Sequence, residues 1–395
     1  MSGRREVWIT GVGLLTCLGE GLEATWQHLE RGDPPPYDDK SFAPYIVHPL
    51  APVNFDKQIP KKSDQRQMEP WQRIGVYAAG LALSDAGIAG KPELLETTDM
   101  IVAASGGERD IAADSTILTG MRKMTERGAF LNERLMSDLR PTLFLAQLPN
   151  LLAGNISIVH GVVGSSRTLL GEEAAGVDAV RIAHARIASG QSELTLVGGA
   201  YNATRWDILL IFEEAGSALK DEFAPVWDRG PQGGLAVGNM GAFLVLESRE
   251  HAQARGARPR ARISAIYSDR NHRKSGDIEA TLRGQWNAIE AEVDREHAGI
   301  IAGAAGLEPA TSAERNVLRE IGLPVRNTGT YIGHGLEAQF EANLGIACAV
   351  LEHGKLFAPA GTGDTGSSPP GISQVIVTSV GNWRGEGTAL VERVG

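Results

Sequence analysis

Short apolar runs rich in valine, isoleucine and leucine alternate along this chain with longer segments whose apolar residues recur every three or four positions. The short runs predict strands at 7–10, 100–103, 194–197, 243–246, 263–266, 299–301 and 375–378, because a brief β-branched stretch suits a strand buried in a sheet. The longer segments predict helices over 71–86, 172–189 and 335–352. In the last of these, Leu336, Phe340, Leu344, Ala347 and Leu351 fall on one face of the helical period. Strands alternating with helices indicate α/β layers. Glycine and proline punctuate rather than extend such elements, so 34–36 and 361–370 read as surface loops. A polar, arginine-rich stretch near 251–260 divides the chain into a longer half, 1–250, and a shorter one, 251–395, with no repeat visible between them.

Composition narrows the function classes. The 395 residues are 42% hydrophobic, enough for a large core or two fused core units. Lys plus Arg number 38 against 48 Asp plus Glu, a net charge of −10, which argues against a nucleic-acid binder. No apolar run approaches the roughly 20 residues that span a bilayer. The opening Met-Ser-Gly-Arg-Arg-Glu leads straight into a strand without the apolar core of a leader. Cys17 and Cys348, far apart and in apolar surroundings, read as reduced structural thiols. A cytoplasmic protein with neither metal nor cofactor is expected.

Several motifs then recur in a telling order: Val7-Trp-Ile-Thr-Gly-Val-Gly, Thr25-Trp-Gln-His-Leu-Glu-Arg-Gly32, Asp64-Gln-Arg-Gln-Met68, Leu196-Val-Gly-Gly-Ala200, Pro225-Val-Trp-Asp228, Phe243-Leu-Val-Leu-Glu247 and Gly333-His334-Gly-Leu. Their order and spacing resemble the β-ketoacyl-acyl-carrier-protein synthases over nearly the whole chain. The resemblance implies a thiolase fold, a duplicated five-layer αβαβα architecture formed by the two halves. It is nearest to the ketosynthase-type subunits of very-long-chain fatty-acid synthesis for lipid A.

The chemistry that the resemblance implies is missing position by position. Active relatives hold a cysteine at the head of a buried helix, where the helix dipole and nearby imidazoles favour the thiolate. Here Leu170 stands in that place, within Ser165-Ser-Arg-Thr-Leu-Leu170-Gly171-Glu-Glu. Glu172 and Glu173, in the first turn, suit the dipole and read as helix stabilisers. The first family histidine corresponds to Ala305, or to Ala304 if the alignment slips by one, and the family lysine to Gly329. His334 survives, either as an oxyanion ligand or as a helix-start residue kept for packing. The glycine-rich gate of active relatives corresponds to Asn382, Trp383 and Arg384, with Trp383 or Arg384 expected to plug the former pocket. Ser165, Ser166 and Thr168 have no evident histidine base.

Such a body can still pair. The resemblance implies a heterodimer with an active ketosynthase paralogue, in the manner of the chain-length factors of polyketide synthesis, which commonly carry glutamine rather than leucine at the cysteine position. It also implies an acyl carrier protein as partner. Lys57, Lys61, Lys62 and Arg66 would meet its acidic surface, or else form a solvated helix start. Two other readings stay open: a cysteine-independent decarboxylase or hydrolase relying on His334, and a homodimeric acyl-binding protein.

Overall fold

The computed structural model describes residues 5–139 and 147–395; the opening Met-Ser-Gly-Arg, on which the expected lack of a leader partly rests, lies outside them. Ten strands form one hydrogen-bonded path: β1 (Val7–Thr16), β2 (Asp99–Ala104), β3 (Ser166–Leu170), β4 (Leu194–Tyr201), β5 (Met240–Ser248), β6 (Ala261–Asp269), β7 (Ala298–Ala302), β8 (Val325–Asn327), β9 (Gln374–Val380) and β10 (Glu386–Glu392). Their spatial order is β3-β2-β4-β5-β1-β6-β10-β9-β7-β8, with the two-residue strand Gly19–Glu20 beside β1. All seven expected strands are present, each extended at one or both ends. Three were illegible. The β3 segment is short and mostly exposed, β8 is only three residues long, and β10 holds a glycine and two glutamates yet is buried nearly throughout. Glu386 is tolerated in β10 because Arg273 pairs with it.

The duplication absent from the sequence is plain in the pairing. In the first half β2 runs parallel to β3 and β4, β4 is antiparallel to β5, and β5 to β1. In the second half β7 runs parallel to β8 and β9, β9 is antiparallel to β10, and β10 to β6. Each strand thus has its counterpart five strands later. The halves join where β1 meets β6, through Val7↔Ile263, Trp8↔Arg262 and Ile9↔Ala261.

Four helices complete the layers: α1 (Pro70–Asp85), α2 (Glu173–Ala188), α3 (Asp277–Ile289) and α4 (Gln339–His353). The first packs on β1, β4 and β5, and α3 packs on β6 and β10. The pair α2 and α4 touch each other and strands of both halves. They form the middle layer, with α4 almost wholly buried and α2 buried along most of its length. Since α2 follows β3 and α4 follows β8, the two helix heads are equivalent positions of the duplicated halves. The functional positions collect there.

Candidate active site

At the head of α2 the structure departs from the expected elbow. Leu170 ends strand β3, Gly171 and Glu172 turn the chain, and the helix begins at Glu173. The Leu170 side chain is 68% exposed. It borders an open groove of about 620 Å³ that also touches Ala153, Gly154, Ser157 and Thr168. Among the described residues β3 is a sheet edge, bonded only to β2. Met100 N donates to Ser165 O at 2.8 Å, and in a parallel ladder this phase turns the backbone groups of Ser166, Thr168 and Leu170 to the free side.

His334 lies at the equivalent head of the second half. Its backbone is pinned by a bridge to Val237: His334 N donates to Ala236 O at 2.9 Å, and Gly238 N donates to His334 O at 3.0 Å. The imidazole is 2% exposed, and its Nε2 lies 2.9 Å from Glu173 Oε1, a carboxylate as buried as itself. Glu173 is therefore more than a dipole-matched first-turn acid, because it occupies the surviving histidine.

Sequence reasoning missed the rest of this interior. Glu337 and Glu341 project from the turn and first helical residues before and within α4, both fully buried, and their carboxyl oxygens include atoms without a hydrogen-bond partner. Burial, with Glu173, Glu172 and Glu341 nearby, holds the Glu337 carboxyl well above the usual carboxylate range. Burial alone pushes Glu341 up to about 8. Gly176 permits this arrangement, since a Cβ there would lie 2.4 Å from Glu337 O and 2.7 Å from Glu341 Oε2. Tyr201 joins the group, its phenol raised by burial and then by Glu337. In the tight turn that leads into α4, Leu336 has φ 43°, a left-handed conformation that costs free energy in a residue with a Cβ. Acids two and six residues past a Gly-His-Gly motif, one helical turn apart, carried a signal for these buried carboxyls, but their depth depends on α2 packing against α4.

The other expected positions carry no reactive group. Ala305 is buried and its carbonyl accepts from Arg229 Nη1 at 2.9 Å. Gly329 opens a short buried turn, Gly329–Ile332. Beside it Thr328 donates to Asn343, and Gln339 Nε2 donates to Thr328 Oγ1 and Asn343 Oδ1, each at 3.2 Å. This neutral trio needs no lysine.

The expected plug is not there. Trp383 is 45% exposed and Arg384 is exposed as well, its Nε 4.0 Å from Glu172 Oε2. The reason lies in the β9–β10 turn. Gly381 N donates to Gly385 O at 2.8 Å, and Gly385, at φ 91°, rests its backbone on Ala174. The turn meets the head of α2 through a glycine, so Trp383 and Arg384 stand out from it while Asn382 is half-buried.

Neither cysteine offers a replacement nucleophile. Both are buried and free, with burial pushing each thiol up to about 12. Cys17 Sγ donates to Tyr331 O at 3.3 Å. His48 Nδ1 lies 4.0 Å from that sulfur but faces Pro36 O at 2.8 Å, an acceptor that keeps its proton on Nδ1. Burial, then the charge of Arg229, pulls the His48 imidazole down to about 3. The basic quartet also looks different in place. Lys57 pairs with Glu20 and Lys62 with Asp56, whereas Lys61 and Arg66 are exposed and make no ion pair among the described residues.

A family model described as Beta-ketoacyl synthase, N-terminal domain, matches residues 4–252. The chain belongs to the β-ketoacyl synthase family. It is 25% identical over 309 residues to 3-oxoacyl-[acyl-carrier-protein] synthase 2 of Vibrio cholerae, covering 75% of this chain and 70% of that one. It is 24% identical over 374 residues to the oxytetracycline polyketide putative β-ketoacyl synthase 1 of Streptomyces rimosus, covering 89% and 85%. Among solved structures, the ishigamide ketosynthase/chain length factor matches with a TM-score of 0.80 at 20% identity, covering 100% of both chains. A β-ketoacyl synthase from Burkholderia phymatum also matches at 0.80, with 23% identity, over 99% of this chain and 100% of that one. These likenesses establish the thiolase fold. No helix among the described residues is long and apolar enough to cross a membrane.

Proposed function

We propose that this chain is a non-catalytic ketosynthase-type subunit that pairs with an active β-ketoacyl synthase in fatty-acid or polyketide chain elongation. The observation that carries the reading is the nucleophile position. Leu170 can form no thioester, and its side chain projects from a free sheet edge. An edge strand with outward-facing amides and an exposed leucine is a surface for another strand. The one histidine left at the site is held by Glu173 in the interior, which speaks against a decarboxylase or hydrolase built on His334. Likeness to a structure titled as a ketosynthase/chain length factor supports the pairing role. Another similar structure is titled as a polyketide acyl-carrier protein in complex with its ketosynthase, which supports a carrier protein as the second partner. Elongation of a very-long-chain acyl group for lipid A is the pathway we favour, in a cytoplasmic setting.

The test joins assembly to activity. The chain is co-expressed with a cysteine-bearing ketosynthase encoded beside it and analysed by native mass spectrometry, and malonyl-carrier decarboxylation is measured on the chain alone. A heterodimer and no turnover are expected. Turnover abolished by H334A, or a homodimer that persists with the partner present, would overturn the reading. L170C alone is expected to leave condensation undetectable, because Ala305 and the Glu173-bound His334 provide no partner for the thiol.

A further inference from the structure

We infer that the pocket between Arg229 and Arg315 is an anion site of the size and charge class of phosphate or a phosphate monoester. This cavity, about 310 Å³, lies outside the retired pocket and is walled by Trp227, Arg229, Gly306, Glu308, Ser312 and Arg315. Arg229 and Arg315 both line it, and neither has a carboxylate partner among the described residues.

Arg229 is held entirely by carbonyls: Nε donates to Ala224 O at 3.1 Å, and Nη1 to Gly234 O at 2.7 Å and Ala305 O at 2.9 Å. Its Nη2 is buried without an acceptor. Burial draws the group down to about 9, and no acid offsets it. Carbonyl dipoles hold a guanidinium in place but do not neutralise it, and an uncompensated buried charge is costly unless something completes it. The Arg315 Cζ lies over Trp227, 5.2 Å from the ring centroid, and the side chain donates to the Trp227 carbonyl, while its Nε is without an acceptor among the described residues.

The one acid on the wall, Glu308, accepts from Ser312 N through Oε2 at 3.1 Å, and two arginines stand against its single charge. Ser312 belongs to the first turn of helix Ala310–Ile321, whose dipole end favours an anion. Gly306 keeps the cradle open. At φ 94° it takes a left-handed backbone, and a Cβ there would stand 2.3 Å from Arg229 Nη1. Paired, planar guanidinium donors at a helix start match the geometry of phosphate recognition.

Calorimetric titration of the full chain with inorganic phosphate and with methyl phosphate, at fixed ionic strength in chloride, tests the site. Saturable binding of at least one is expected, and which one binds separates a free-phosphate site from one open to esters. R315Q should weaken that binding ten-fold or more, whereas K123Q, on a distant exposed helix, should leave it unchanged. G306A provides a second variant with both arginines retained, and it should weaken binding by a similar factor. Absence of saturable binding by either probe, or equal binding in R315Q, would refute the proposal.

Discussion

Replacing Glu341 by glutamine should flatten the dependence of folding stability on pH. The carboxyl is fully buried, has no hydrogen-bond partner among the described residues and lies against the backbone of α2 at Gly176. Glutamine keeps its shape and removes its proton chemistry. In the native chain Glu341 titrates at about 8, against 4.5 when unfolded. Below 4.5 both states bind the proton, so the stability linked to this group is fully present. Between 4.5 and 8 only the native state keeps it, and stability falls as pH rises, by about 1.4 kcal/mol per unit. From pH 5.5 to 7.5 this one group accounts for a loss of about 2–3 kcal/mol. Urea unfolding of wild type and E341Q at those two pH values checks it. The variant should exceed wild type by about 1–2 kcal/mol at pH 5.5 and by about 4 kcal/mol at pH 7.5. Glu337, also raised, and Glu314, at about 7, push in the same direction, so E341Q should reduce the slope without abolishing it. Identical slopes in the two proteins would show that the Glu341 carboxyl is not buried without a partner.

Three other perturbations probe separate links. H334A removes one member of a buried pair and strands Glu173, and a loss of about 3–5 kcal/mol in chemical denaturation is expected; a loss below about 1 kcal/mol would mean that the pair is solvated. L170D changes an exposed edge residue, so monomer stability should stay within about 0.5 kcal/mol while association with an active ketosynthase, followed by analytical ultracentrifugation, weakens ten-fold or more; unaltered association would remove Leu170 from the interface. R66E should weaken binding of an acidic carrier protein several-fold at low salt and little at high salt, as for an exposed charge at an interface rim. A change independent of salt, or none, would remove Arg66 from the docking surface.

Much of this protein was determined by residue identity alone. A leucine cannot become a nucleophile in any fold, so the proposal of a non-catalytic role rests first on the identities of Leu170, Ala305 and Gly329, which are legible without coordinates. The β-branched runs announced seven strands because burial on both faces demands that composition. The periodic apolar stripe announced the 335–352 helix, though its first residues form a tight turn before α4. Contacts across long separations were decided only by tertiary structure. Glu173 and His334 stand 161 residues apart, and their pairing exists because two equivalent helix heads meet in the middle layer. Trp383 read as a plug because side-chain size was known and direction was not, and the backbone of Gly385 decided that direction. The duplication was invisible for a related reason. Strand pairing follows from apolar pattern and turn geometry, which many unlike sequences satisfy, so two halves can share one topology while sharing no recognisable residues. The exposure of Leu170 has the same origin: its absence of chemistry was written in the chain, but its place on a free sheet edge was set by the order in which the strands assemble.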